Sequence, residues 1–272
     1  MRAPVRSWLY VPGHRRDLAE KALAGEADAV VLDLEDAVPL GRKDEARATV
    51  ADVLAAGPAK PTWVRLNAIG TGLTYDDVAA LASSPPAGVR LPKAESSEQL
   101  EALAARLPAP IELHLLIESA LGLERAFELA AHPAVSGIAL GEADLAADLG
   151  VSSDEALVYA RSRCVTAARA ARLAPPVQSV HTAVGDDDAL RLTSERARAL
   201  GFFGRSAIHP RQVPVIHAAY TPSADELEDA RELMEALAGA EARGEAALVL
   251  PDGRFVDPAV VERARRILAV GS

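Results

Sequence analysis

Short runs of branched and aliphatic residues recur along this chain, each closed by Gly, Pro or a polar cluster and followed by a stretch with helical spacing. Trp8-Leu-Tyr-Val11 ends at Pro12-Gly13, and a helix is predicted from about Arg15 to Ala24. Ala29-Val-Val-Leu32 is an uninterrupted apolar run, the pattern of a strand buried on both faces. Lys43 to Ala56 has Ala, Val and Leu on one helical face and stops at Gly57-Pro58. Further strands are predicted at Trp63–Asn67, Gly88–Leu91, Ile111–Ile117 and Gly137–Leu140, a weaker seventh at Val177–Val180 and an eighth at Phe203–Ile208. Helices are predicted at Tyr75–Ala82, from a Ser96 or Ser97 cap to Arg106, at Glu155–Leu173 and at Asp187–Leu200.

Strand and helix thus alternate over roughly 210 residues, as an α/β chain of the (β/α)₈ TIM-barrel class requires. A doubly wound open sheet is disfavoured, because no glycine-rich phosphate turn follows the first strand. The barrel is expected to occupy residues 1–222. Residues 223–272 exceed eight βα units and read as a C-terminal helical extension, able to pack on a neighbouring subunit. It comprises a helix from after Ser223 to about Arg243, a hairpin or loop over Leu248–Asp257, and a last helix to Ala269.

Half of the 272 residues are hydrophobic, so a large core is readily buried, whereas only 4% are aromatic. A formal charge of −10 argues against binding nucleic acid or a membrane surface through bulk electrostatics, without excluding an anionic ligand in a local cationic pocket. Cys164 is the single cysteine, which rules out a disulfide framework and a cysteine-based metal site. With no signal-peptide layout and no long apolar run, the chain is expected to be soluble and cytoplasmic.

In a barrel, residues at the carboxyl ends of the strands face one mouth. Those positions hold Asp33, Glu35 and Asp36, then Arg65 and Asn67, Lys93, Glu118, Asp144 and His209. So many ionisable groups are not buried cheaply without partners, and like charges as close as the first three need a cation or polar group among them. Asp33, Glu35 and Asp36 are therefore candidate catalytic groups, against the plainer reading of an acidic loop facing solvent. Glu118 and Asp144 lie on adjacent strand ends with no Cys or His cluster nearby. Such a pair suits a hard divalent cation, Mg²⁺, which keeps its other positions for water and substrate oxygens. Alone, each acid would more simply be a helix cap or an ion-pair partner. Arg65 carries a charge that no working pH removes, fit to polarise a carbonyl or stabilise an enolate; it would equally serve as a structural partner for Asp33 or Glu35. Asn67, Lys93, Glu118 and His14 are candidate substrate contacts, although a single histidine is more often satisfied structure than ligand contact.

These residues sit in stretches that resemble the citrate lyase β-subunit-like family, within the HpcH/HpaI group of Mg²⁺-dependent acyl-CoA lyases and aldolases that includes malyl-CoA and citramalyl-CoA lyases. The stretches are Arg6–Gly13, Leu32–Val38, Val64–Asn67, Leu91–Lys93, Leu116–Ser119, Leu140–Leu145, Ala207–Pro210 and Asp252–Asp257, in the family's order. The resemblance implies cleavage of a 3-hydroxy-3-carboxyacyl-CoA to an acyl-CoA and a 2-oxo acid. It implies Glu118 and Asp144 as Mg²⁺ ligands, Arg65 as the substrate-binding arginine, and Asp257 as a catalytic acid reaching a neighbouring subunit's barrel in a homotrimer or hexamer. Gln178 departs from the pattern, standing where the family commonly has Asp. Two other functions share parts of the site. A class II pyruvate-type aldolase would use the metal carboxylates without CoA, and a non-catalytic barrel subunit or ligand sensor would use neither.

Overall fold

Parallel pairing joins β1 (Ser7–Pro12), β2 (Ala29–Asp33), β3 (Thr62–Arg65), β4 (Gly88–Leu91), β5 (Glu112–Ile117), β6 (Val135–Leu140) and β7 (Arg205–Ala207) into one sheet. The strands lie in the order β6-β5-β4-β3-β2-β1-β7. The computed structural model describes residues 4–108, 110–242, 248–249 and 255–271. Two units divide them: residues 5–217, which hold this sheet, and residues 218–272 together with 1–4.

The crossovers carry α1 (Arg16–Ala24), α2 (Lys43–Ala55), α3 (Thr74–Ala80), α4 (Ser97–Ala104), α5 (Ala120–Glu124), α6 (Ala126–Ala130), α7 (Glu142–Leu149), α8 (Val158–Ala170) and α9 (Asp187–Leu200), and α10 (Gln212–Tyr220) follows β7. The strands are buried on both faces over most of their length, β2 and β4 throughout, which explains the apolar runs. The result is TIM-barrel-like, with the predicted seventh strand corrected: residues 177–180 form no strand. Instead, single parallel bridges join Ala139 to Val177 and Gln178 to Arg205. Pro175 and Pro176 offer no N–H to start a ladder before Val177, and the carbonyl of Ser179 is taken by the Arg205 side chain at 3.0 Å. Four helices lie outside the sequence expectation: α5, α6, α7 and α10. The first two are only five residues each, and α7 opens directly on the Gly141 turn, so none of these three presents a long apolar stripe. By contrast, α10 is apolar but carries Pro214, a helix breaker tolerated here only because it falls in the first turn.

Inside the sheet, Trp8 and Trp63 meet edge to face with ring centroids 5.1 Å apart, and the His114 ring lies 4.3 Å from Trp63. Gly88 makes this layer possible, since any Cβ there would collide with the Trp63 ring. The interior below the mouth is thus a packed plug of Trp8, Ala29, Val31, Trp63, Leu116, Ala139 and Val177.

His114 is neutral in that layer: burial, with Arg90 adding repulsion, pushes its pKa down to about 3. The unfolded chain takes up a proton below about pH 6.5 that the folded chain refuses, so this group's stabilisation is present above 6.5 and is lost as pH falls toward 3. Thermal melts of wild type and His114→Phe over that window should show a shallower acid limb in the variant. Parallel limbs would mean that the imidazole is not the group responsible.

In the second unit, α11 (Ala224–Ala242) and α12 (Pro258–Gly271) share an apolar cluster of Ala230, Leu233, Val256, Val261 and Ala264. An antiparallel pair, β8 (Leu248–Val249) with β9 (Phe255–Val256), forms the flanks of the expected hairpin. Residues 250–254, which hold Asp252, Gly253 and Arg254 of the motif, lie outside the described set, as does Arg243. Among the described residues no helix is long and apolar enough to cross a membrane.

Candidate active site

β2 and β3 run in register so that Asp33 pairs with Arg65 at their carboxyl ends, and the two side chains meet there. Arg65 donates to Asp33 twice, Nε to Oδ1 at 2.7 Å and Nη2 to Oδ2 at 2.6 Å. This is the two-pronged geometry that makes arginine a rigid fixture. Asp33 is 1% exposed and also accepts the backbone N–H groups of Glu35 and Ala37. Glu35 lies 3.0 Å from Arg65 Nη1 as an ion pair and 3.2 Å from Lys93 Nζ. Burial outweighs these cations and, with Asp36 repelling, pushes Glu35 up to about 7. Asp36 is exposed and sits 3.3 Å from Arg65 Nη1. The acidic stretch after β2 is therefore a cage around one guanidinium, not a loop in open solvent.

Glu118 follows β5 directly and is buried. Burial, and then repulsion from Glu35 and Asp144, pushes its carboxyl up to about 7. Its Oε2 accepts the backbone N–H of Lys93 at 3.1 Å. Lys93 reaches this position with φ of 51°, a left-handed conformation that costs a non-glycine residue roughly 1–2 kcal/mol. On the other side stands Gly141, where a Cβ would meet the Glu118 side chain and lie 2.5 Å from Oε1. Asp144 is not at a strand end: it is in the first turn of α7. The motif's other acid, Glu142, is bound to Arg161 at 2.6 and 3.0 Å, so Asp144 is the one left for the mouth.

Glu118, Asp144, Arg65, Asp33 and Asp36 all line one cavity of about 450 Å³, together with Tyr10, Ser179 and Ser206. Among the described residues no three His, Cys, Asp or Glu side chains gather as a complete metal cage. Two carboxylates with space beside them are instead the donor set of a hard cation that leaves positions open to a ligand's oxygens. The residues fit such an ion: a buried carboxyl repelled by two other acids is relieved by positive charge.

Several candidates lie elsewhere. Asn67 is buried, but its amide and backbone N–H both donate to Asp77, at 2.7 and 2.8 Å, and Asp77 is held by Arg47 at 2.8 Å. That network ties β3 to α2 and α3, and Asn67 does not line the cavity. His14 does not line it either, and burial lowers its pKa. His209 is exposed, with Nδ1 accepting the Arg211 N–H. Gln178 is buried and donates to the Thr193 carbonyl, while its neighbours Ser179 and Val180 face the cavity. Glu35 pairs with both Arg65 and the exposed Lys93, and neither Glu35 nor Lys93 lines the cavity. Asp257 belongs to the second unit, where it is exposed and its Oδ1 caps α12 by accepting the Val260 N–H at 2.9 Å. At the opposite end of the strands, Ser7 Oγ lies 2.8 Å and Asp28 Oδ1 3.4 Å from His217 Nε2. This is no catalytic triad, because both partners approach the same ring nitrogen and Ser7 is fully buried.

Residues 6–210 match the family model described as HpcH/HpaI aldolase/citrate lyase. A (3S)-malyl-CoA thioesterase of Cereibacter sphaeroides is 36% identical over 271 residues, 98% of this chain and 94% of the relative. Among solved structures, CitE from Mycobacterium tuberculosis in complex with magnesium, acetoacetate and coenzyme A superposes with a TM-score of 0.85 at 35% identity, covering 100% of both chains. A citrate lyase beta subunit from M. tuberculosis complexed with oxaloacetate and magnesium superposes with a TM-score of 0.72 at 36% identity, over 81% of this chain and 98% of that one.

Proposed function

The chain belongs to the HpcH/HpaI aldolase/citrate lyase family, and on that premise we propose that it is a Mg²⁺-dependent carbon–carbon lyase. Its substrate would be a 3-hydroxy-3-carboxyacyl-CoA of the malyl, methylmalyl, citramalyl or citryl type, cleaved to an acyl-CoA and a 2-oxo acid. One observation carries the reading: Glu118, Asp144 and Arg65 converge on a single cavity.

Glu118 and Asp144 would hold Mg²⁺, which supplies Lewis acidity and a template for carboxylate and hydroxyl oxygens. Arg65, fixed by Asp33, sets a permanent positive charge beside the carbonyl where enolate charge develops. Among the three acids after β2, Asp36 lines the cavity and is the least enclosed, so it takes the substrate hydroxyl proton as the bond breaks. Asp257, from a neighbouring chain of a homotrimer or hexamer, protonates the enolate carbon. Closure of the (β/α)₈ ring is part of the proposal: the single bridges at Val177 and Gln178, between β6 and β7, would complete it in place of a seventh strand in chain order.

Purified protein with Mg²⁺ and a panel of malyl-type thioesters tests the activity. Lyase action yields acyl-CoA and oxo acid with the thioester intact, whereas hydrolysis, the activity in the name of the C. sphaeroides relative, frees the CoA thiol. No Mg²⁺-dependent loss of any thioester would overturn the proposal. Competition by free CoA distinguishes this enzyme from an aldolase acting on free aldehydes.

Gly141→Ala probes the metal site separately. Its backbone is ordinary, so only the contact with Glu118 is disturbed. Calorimetry should show Mg²⁺ affinity lowered about tenfold or more with the melting curve near wild type. Unchanged affinity would mean that Glu118 is not a ligand.

A further inference from the structure

Arg90 is among the largest fully buried side chains of the described residues, and it forms no ion pair with any carboxylate there. Its guanidinium lies over the Trp8 ring, 4.1 Å from the centroid, and Nε and Nη2 have no hydrogen-bond partner. Nη1 donates to two hydroxyls, Tyr10 Oη at 3.0 Å and Ser206 Oγ at 3.3 Å. A guanidinium only donates, so each hydroxyl receives on a lone pair and must direct its own proton elsewhere. Neither donates to another side chain or carbonyl among the described residues, and both Tyr10 and Ser206 line the cavity that holds Glu118, Asp144 and Arg65. The cavity wall thus offers two O–H donors with an uncompensated cation behind them, an arrangement that favours a negatively charged oxygen.

We propose that Tyr10 and Ser206 form a carboxylate subsite for the 2-oxo acid half of the substrate, with Arg90 as the positioning residue that orients both hydroxyls. The inference rests on the lyase reading above and adds to it. The packing assigns the half: Arg90 lies over Trp8 of the plug, and the plug residues Leu116 and Ala139 line the same cavity, so we place the hydroxyls that Arg90 holds at its plugged end, where a small acid fits. A long pantetheine arm must leave by the mouth. Arg65 does not substitute for this subsite, because each of its three nitrogens already faces Asp33, Glu35 or Asp36.

The test is titration of the full-length protein with pyruvate in saturating Mg²⁺, by calorimetry or ligand NMR, with the uncharged pyruvamide as comparison. Tyr10→Phe keeps the ring that packs on the guanidinium and removes only the hydroxyl. It should weaken pyruvate about tenfold, with Mg²⁺ affinity in the absence of oxo acid unchanged. Ser206→Ala should weaken pyruvate in the same direction. Arg90→Met should lose the preference for pyruvate over pyruvamide, and Arg90→Lys should recover part of it, a readout that a purely structural role would not move. Wild-type affinity in Tyr10→Phe, or an undiminished charge preference in a folded Arg90→Met, overturns the subsite while leaving the lyase reading intact. A wild-type protein that binds Mg²⁺ but no 2-oxo acid overturns both.

Discussion

Arg65→Ala is expected to lower turnover of whichever thioester the substrate panel identifies by about a hundredfold or more, the scale of losing one preorganised charge at a developing oxyanion. Two decades in rate correspond to about 2.7 kcal/mol of transition-state stabilisation. The same substitution disturbs the fold, because Asp33 is almost wholly buried and its charge is answered chiefly by this guanidinium. Breaking a buried pair by removing one member costs about 3–5 kcal/mol. Chemistry and stability therefore have to be separated: kcat is measured on protein shown by its melting curve to be folded at the assay temperature. Arg65→Lys supplies the control, since it returns the charge without the two-pronged grip on Asp33. It should recover stability more than turnover. A folded Arg65→Ala protein with near-wild-type kcat would remove Arg65 from the mechanism and leave it a structural partner of Asp33.

The strand ends are legible in the sequence because buried parallel strands are apolar along their length, so the first charged residue after each run marks the mouth. Asp33, Arg65 and Glu118 are located by that rule. Asp144 is located by it only in part: the acid is at the mouth, but on the first turn of α7, since Gly141-Glu-Ala-Asp144 is too short to show a period. Asn67 shows where the rule fails. A polar residue after a strand looks the same whether it faces a ligand or, as here, an aspartate ten residues on. Arg90 is missed for a different reason. Its partners Tyr10 and Ser206 are 80 and 116 positions away, so nothing local distinguishes it from a solvent-facing arginine on a short strand. Its one signal is an arginine between Val89 and Leu91 in a strand that the flanking turns mark as internal. The failed seventh strand likewise depends on a distant side chain, Arg205, taking the Ser179 carbonyl.

Asp257→Ser is expected to lower kcat by about a hundredfold to ten-thousandfold, the range of a lost general acid, with little change in stability. The choice of serine matters because Asp257 has a visible structural duty: its Oδ1 caps α12. Serine caps a helix about as well as aspartate, so the helix keeps its cap while the proton donor is gone. Asp257→Ala would lose both and could not tell a failed acid from a frayed helix. If the acid serves a neighbouring chain, Arg65→Ala and Asp257→Ser each keep only their residual turnover alone, yet co-expressed together they should recover part of the activity. A site then needs an intact barrel from one chain and an intact acid from the next, and random mixing in a closed ring gives both to about a quarter of the sites. If Asp257 acts within its own chain, no site in the mixture has both residues and activity stays at the residual level of the single variants. Full activity in Asp257→Ser alone would instead leave the residue as the helix cap that the structure already shows.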